Sequence, residues 1–260
     1  QVEEYIRLPA TLARSLVEKS HSASAQHLAR IDGGSTLPLI AIIGAGPGMG
    51  AAIARLFGQH GYYVALVSRT RSKVDALADQ LKAEGINASG FTADILDPQS
   101  ITSAITQIES TLGPIDVLEF SPADPTLPRQ SPLEVSVSGA QAQLDFYVHG
   151  AITAVQSVLP TMLGRGAGTI IVTTGGSSVF PNATFGNIAL AAASLRNWAL
   201  SLHAAAADKG VQVAHIAINA WIGNQPGADA ALIAPLYWQA HQDHHVAELV
   251  FDPSSPSAGG

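Results

Sequence analysis

The sequence predicts an α/β protein whose single domain is a doubly wound, mainly parallel sheet, and three observations carry that prediction. Short apolar runs alternate with longer amphipathic stretches from Leu37 to Phe251. The runs are too short for helices and end at glycine or polar residues, as strands buried on both faces do. A cluster of glycines separates the first run from the first amphipathic stretch. Strands joined through helices pair in parallel, each crossover is right-handed, and ligands sit at the carboxyl ends of the strands.

The elements follow in order. LPLIAII (37–43) reads as a buried strand, and Ala51 to His60 as a helix stopped by Gly61. YYVALVS (62–68) is the second strand, followed by a helix over 72–84 that ends at Gly85. NASGFTAD (87–94) is the third strand, and Asp97–Pro98 opens a helix over 98–112. IDVLEF (115–120) gives a fourth strand and leads into a proline-rich loop. Beyond it come a long helix (137–163), the strand GTIIVTT (168–174), a helix (186–208), the strand VQVAHIAI (211–218), a helix (227–242) and the short strand AELVF (247–251). Residues 1–36 read as an N-terminal arm and linker, with Leu8, Leu12, Leu16 and Val17 at helical spacing. The folded domain is expected over 37–252, with a disordered tail at 253–260.

Composition narrows the function. Of 260 residues 47% are hydrophobic, enough for a large core and far too many for a disordered chain. Thirteen basic against twenty acidic side chains give a net charge of −7, which argues against nucleic-acid and anionic-membrane partners. The absence of cysteine removes disulfides, thiolate metal sites and cysteine nucleophiles. No apolar run reaches the length of a membrane span and the first residues are mixed and charged, so a cytoplasmic protein is expected.

Gly44, Gly46, Gly48 and Gly50, with Met49 between the last two, lie between the first strand and its helix. Glycines there permit a tight turn and close backbone approach to phosphate, and the helix start offers free N–H groups. The expected ligand is a dinucleotide and the expected fold a Rossmann fold. The second strand ends in Ser68 and Arg69. An acidic residue there would favour a ribose 2′-hydroxyl, whereas a guanidinium suits a 2′-phosphate, so NADP(H) is the expected cofactor. Arg71 and Lys73, close behind, read as a solvated helix start.

These residues resemble the short-chain dehydrogenase/reductase family over about 37–251. The resemblance implies a phosphate loop at Gly44, Gly48 and Gly50, adenine contact at Asp94 beside Ile95, and nicotinamide contact near Ile222. The active-site signature departs from the family pattern. Its Asn-Asn-Ala-Gly falls on Phe120, Ser121, Pro122 and Ala123, its helix-borne Asn on Tyr147 and its catalytic Ser on Gly175. Its Tyr-x-x-x-Lys pair falls on Ile188 and Ala192. The lysines are Lys19, Lys73, Lys82 and Lys209, and no tyrosine is followed by a lysine three to seven residues later. In the family that tyrosine protonates the carbonyl oxygen and the lysine lowers its pKa; losing such an acid costs roughly 10²–10⁴ in rate.

Tyr147, Ser177 and Arg129 are the candidates for chemistry. Tyr147 is either a displaced proton donor or a core tyrosine. Ser177, with Thr174 and Ser178 nearby, offers a hydroxyl or holds the turn. Arg129 and Asp124 lie in the loop after the fourth strand, where Arg129 either orients an acidic substrate or is an ordinary surface arginine. Phe120, Phe180, Ile188 and Trp221 are expected to line an apolar pocket, and Asn187, Asn219 and His149 are lesser candidates. His241 and His245 share a helix face, but no upstream glutamate completes a zinc motif, so no metal is expected. Three functions remain. One is an atypical NADPH-dependent reductase acting on an activated C=N, C=C or C=O group of a small apolar molecule, including cyclase-type relatives. Another is a non-catalytic NADP(H)-binding protein, and a scaffold without nucleotide is a third. Helices 137–163 and 186–208 match the family's subunit interface, which implies a homodimer or homotetramer.

Overall fold

The computed structural model describes Ile6–Leu8 and residues 37–254. The described strands are β1 (Ile6–Leu8), β2 (Leu39–Ile43), β3 (Tyr63–Ser68), β4 (Ala88–Thr92), β5 (Val117–Phe120), β6 (Gly168–Gly175), β7 (Val211–Ile218) and β8 (Glu248–Phe251). They form one eight-stranded sheet in the order β1-β8-β7-β6-β5-β2-β3-β4. Every pairing is parallel, with Ile43 opposite Val67 on one side and Phe120 on the other. From β2 at the centre of the sheet the chain winds outward through β3 and β4, then returns to β5 on the other side of β2. That reversal opens a crevice beyond the carboxyl ends of β2 and β5, where the fold places its ligands.

Two apolar layers hold the helices. On one face α1 (Met49–Gln59) packs Ile53 and Phe57 on Ile40 and Ile42, and α2 (Arg71–Ala83) adds Leu77 and Leu81. On the other, α3 (Pro98–Leu112) buries Ile101, Ile105 and Ile108 against Leu39 and Ile43. Burying one such Ile or Phe contributes about 2 kcal/mol. Asp97 caps α3 through its side chain, which accepts from the Gln99 N–H, and Pro98 occupies the first helical position. Gly61 and Gly85, just past α1 and α2, take φ of +86° and +83°, a conformation glycine adopts without strain.

The long helix expected over 137–163 is three consecutive segments: α4 (Val137–Gln143), a π-helical turn (Leu144–His149) and α5 (Gly150–Arg165). The wide turn shifts the helical phase, so Phe146 enters the core while Tyr147 packs half-buried beside it. α6 (Gly186–Ala206) matches its expected start, and the helix expected over 227–242 divides into α7 (Ala230–Ile233) and α8 (Pro235–Gln242). Pro235 has no N–H to continue the first of these, so it starts the second. At the N-terminus Leu8 lies in β1, paired with Phe251, rather than on the expected helix; Leu12, Leu16 and Val17 fall outside the described residues. Pro253 and Ser254, assigned to the tail, form a turn in which Ser254 donates to Asp252 at 3.0 and 2.6 Å; residues 255–260 lie outside the described residues. Among the described residues no helix is long and apolar enough to cross a membrane.

His241 does not face outward with His245. Its Nε2 is 2.6 Å from the Tyr62 hydroxyl and its Nδ1 is 2.9 Å from the Thr169 hydroxyl, while His245 is exposed. Burial, with the charges of His244 and His60, pushes His241 down to about 4, so it is a neutral imidazole held between two hydroxyls.

Candidate functional site

Gly44 stands at the reversal point of the sheet. Its φ is +100°, and a Cβ there would lie 2.5 Å from the backbone N and Cα of Pro122. The N–H groups of Gly44 and Ala45 both donate to Val67 O, at 3.0 and 2.9 Å. The turn is thereby tied to β3 and pressed on the loop after β5. At Gly50 a Cβ would lie 2.9 Å from Ala45 Cα, so this glycine lets α1 pack on the turn. At Gly46 and Gly48 a Cβ would meet nothing within 4 Å: the backbone here faces open space. No side chain caps the N-terminus of α1; the Ala51 N–H donates to Gly46 O at 2.9 Å, which leaves the N–H groups of Met49 and Gly50 available to an anion.

A cavity of about 570 Å³ runs from this turn along the ends of β3, β4 and β5. Gly44, Gly46, Ser68, Arg69 and Ile95 line it, as does Lys73, which the sequence assigned to a plain helix start. Asp94 sits between the cavity-lining Ala93 and Ile95, and its Oδ1 accepts from the Leu96 N–H at 3.0 Å. Gly48 borders a separate groove against α7, while Met49 and Ile222 pack on the core of the α1 face. Size, open phosphate-loop backbone and cationic wall fit the adenosine and phosphate portion of a dinucleotide.

Arg69 is not alone at the cavity wall. Its Nη1 donates to Asp124 Oδ2 at 2.8 Å, across 55 residues of sequence. Thr126 donates to Asp124 Oδ1 from its backbone N–H at 2.9 Å and from its hydroxyl at 2.6 Å. Those bonds, with the Arg69 charge, hold the Asp124 carboxyl below the usual range. The Asp124 carboxylate in turn acts on Tyr147, whose phenol is pushed up first by burial and then by that negative charge. The Tyr147 hydroxyl makes no hydrogen bond among the described residues, and Ser177, half-buried in the turn after β6, makes none from its side chain.

The remaining candidates take other roles. Phe120 is fully buried with Phe146 in the core and does not line the cavity beside Gly44, because its strand position faces the α5 layer. Asn187 is also fully buried. Its side chain donates to Pro128 O and Gly139 O and accepts from the Gln130 N–H, fastening the loop after β5 to the start of α6. Arg129 is exposed, with its guanidinium 5.4 Å from the ring centroid of Phe185, which in turn tilts against Trp221 at 6.2 Å. Loops after β5, β6 and β7 thus meet through one cation and two aromatic rings. His149 is exposed and bonds Asp145 at 2.9 Å on its own helix.

Two buried polar groups were not anticipated. Glu119, at 0% exposure in β5, accepts from the hydroxyls of Ser121 and Thr173, and burial pushes it up to about 8. Beneath the turn after β6, Thr174 lies 2.8 Å from His215 Nε2, and His215 Nδ1 lies 2.8 Å from Glu248 Oε1. Arg196 on α6 closes this chain with two bonds to the Glu248 carboxylate, at 2.6 and 2.7 Å. Burial would raise Glu248, but the His215 and Arg196 bonds overcome it and hold the group at about 2. Burial lowers His215, so the ion pair is Arg196–Glu248 with a neutral imidazole beside it. A histidine inside VQVAHIAI and a glutamate inside AELVF were the available signals.

Comparison with known proteins agrees with this geometry. A structure of a short-chain dehydrogenase from Rhodopseudomonas palustris superposes with a TM-score of 0.72 at 24% identity, covering 83% of this chain and 98% of that one. L-Sorbose reductase from Gluconobacter frateurii, complexed with NADPH and L-sorbose, gives 0.74 at 18% identity, covering 87% of this chain and 100% of that one. At those identities the likeness is one of fold. In sequence, the chain is 34% identical over 132 residues to 2,3-dihydro-2,3-dihydroxybenzoate dehydrogenase of Bacillus subtilis, which is 50% of this chain and 49% of that protein. The chain therefore spans about half the length of the curated relatives it matches. Residues 38–220 match the short chain dehydrogenase family across the glycine turn, the cavity and the loops above it, and the chain belongs to that family.

Proposed function

We propose that this chain is an NADP(H)-binding oxidoreductase that reduces an activated C=N, C=C or C=O group without the family's tyrosine–lysine acid. The observation that carries the reading is the cationic end of the cavity: Arg69 and Lys73 stand where β3 meets α2, next to an open glycine backbone. Guanidinium and ammonium groups there suit a 2′-phosphate. NADPH, when bound, supplies the hydride. Gly46 and Gly48 would admit its pyrophosphate against the first turn of α1, and Ser68 and Arg69 would take the adenosine ribose.

The acceptor follows from what the chain lacks and from Tyr147. No lysine lies between 83 and 208, so nothing lowers the pKa of a tyrosine in the manner of the family. Tyr147 has a raised pKa, which keeps its O–H on the oxygen and makes it a hydrogen-bond donor but a weak acid. An iminium needs no proton on receiving hydride, whereas a ketone does. Ser177 and Arg129 would orient the substrate. An apolar substrate agrees with the paired rings of Trp221 and Phe185 on the loops after β7 and β6, and exposed Leu163 on α5 and Leu190 on α6 support pairing of two copies.

A panel of iminium, enone and ketone substrates, followed by loss of NADPH absorbance, tests the proposal. Iminium reduction is expected to be fastest. Tyr147→Phe is expected to slow ketone or enone reduction by roughly 10² while leaving iminium reduction within about threefold. NADPH binding without oxidation by any member of the panel contradicts the reductase and favours the second reading, a non-catalytic NADP(H)-binding protein. One observation favours that alternative: buried Asn187 fastens the loop after β5 over the start of α6, beside the position the family gives its tyrosine.

A further inference from the structure

Arg69 and Asp124 differ in how they are held. The arginine side chain is 50% exposed and makes a single bond to the acid, whereas the aspartate side chain is 5% exposed. Asp124 Oδ1 is fixed by two bonds from Thr126, and Pro122, Pro125 and Pro128 stiffen the loop that carries it. The carboxylate is therefore the fixed partner and the guanidinium the movable one. Arg69 and Lys73 line the cavity, and Asp124, paired with Arg69 from the loop after β5, offsets one of their two charges.

We infer that Asp124 is a built-in anion that competes with the cofactor's 2′-phosphate for Arg69 and so sets the selectivity between NADPH and NADH. This rests on the NADP(H) reading of the cavity and adds the residue that tunes it. A 2′-phosphate has to take the guanidinium away from Asp124 and then sit near a carboxylate that cannot retreat, because Thr126 holds it. A ribose 2′-hydroxyl carries no charge and meets neither cost. Asp124 thus weakens the phosphorylated cofactor and leaves the other nearly untouched, which narrows a preference that Arg69 and Lys73 would otherwise make strong.

Asp124→Asn tests this, because the amide oxygen can still accept from Thr126 while the charge is gone. With a carboxylate and a phosphate dianion roughly 5 Å apart near the surface, the variant is expected to bind NADPH about tenfold more tightly. NADH binding, within about twofold of wild type, serves as the folding control. In an Arg69→Ala background the gain from Asp124→Asn should shrink, because the group being competed for is gone. Wild-type protein that binds NADPH, with Asp124→Asn binding it equally or more weakly, overturns the inference and leaves the cofactor reading standing. Wild-type protein that binds neither nucleotide overturns both.

Discussion

Replacing Gly44 with valine is expected to destabilise the protein by about 4 kcal/mol and to abolish nucleotide binding. Two costs add: strain from a branched residue held at φ +100°, and overpacking of a Cβ 2.5 Å from the Pro122 backbone. Relief of the clash has to move either Pro122, and with it Asp124, or the turn itself, which hangs on Val67 O beside Ser68 and Arg69. Both movements open the cavity wall. The contrast is Gly46→Val, whose Cβ meets nothing within 4 Å. It should keep stability within about 1 kcal/mol of wild type yet lose nucleotide affinity, because its side chain fills the space proposed for the pyrophosphate. Thermal melts with and without NADPH separate the two variants. Equal melting temperatures for wild type and Gly44→Val would refute the close approach of the turn to Pro122.

Arg196→Met is expected to cost about 3 kcal/mol, lowering the melting temperature by roughly 6 °C for a chain of this size. Glu248 has 9% of its side chain exposed and loses both guanidinium bonds, leaving a charge beneath the sheet edge with only a neutral His215 to serve it. An exposed ion pair would be worth at most about 1 kcal/mol, so the measured loss distinguishes a buried pair from a surface one. The pH dependence has a definite sign. Glu248 titrates at about 2 folded against 4.5 as its ordinary value, so its contribution is complete above about pH 5. As the pH falls toward 2 the unfolded chain takes up the proton first, and about 3 kcal/mol is lost. In Arg196→Met the carboxyl should titrate higher, which moves acid unfolding to higher pH. A variant with wild-type acid stability contradicts the pairing.

Much of the fold was legible because it is written locally. The alternation of apolar runs and amphipathic stretches located the strands from Leu39 to Phe251 within a residue or two, and Asp97–Pro98, Gly61 and Gly85 marked helix ends by backbone chemistry. The π turn at Leu144–His149 was not legible, since one extra residue in a turn alters the phase of a pattern without interrupting it. Pro235 was a readable signal for the break between α7 and α8 that the smooth helical pattern obscured. β1 is three residues long and owes its conformation to β8, more than 240 residues away, so no local pattern encodes it.

The candidate site divides the same way. Gly44, Gly46, Ser68, Arg69 and Ile95 were readable because the glycine turn and the end of the next strand have a fixed relation in this topology. Asp124 opposite Arg69, and Glu248 opposite Arg196 and His215, depend on loops and elements that meet only in the folded chain. Phe120 was expected to line an apolar pocket; its side chain follows strand alternation into the core instead.

The central claim is that the cavity beside Gly44 holds NADP(H) through Arg69. Titration of the purified protein with NADPH and NADH, followed by nicotinamide fluorescence, tests it most directly. The account predicts saturable binding of both, tighter for NADPH, with Arg69→Ala bringing NADPH down to the affinity of NADH. Failure to bind either nucleotide, or NADPH binding unchanged by Arg69→Ala, would contradict it.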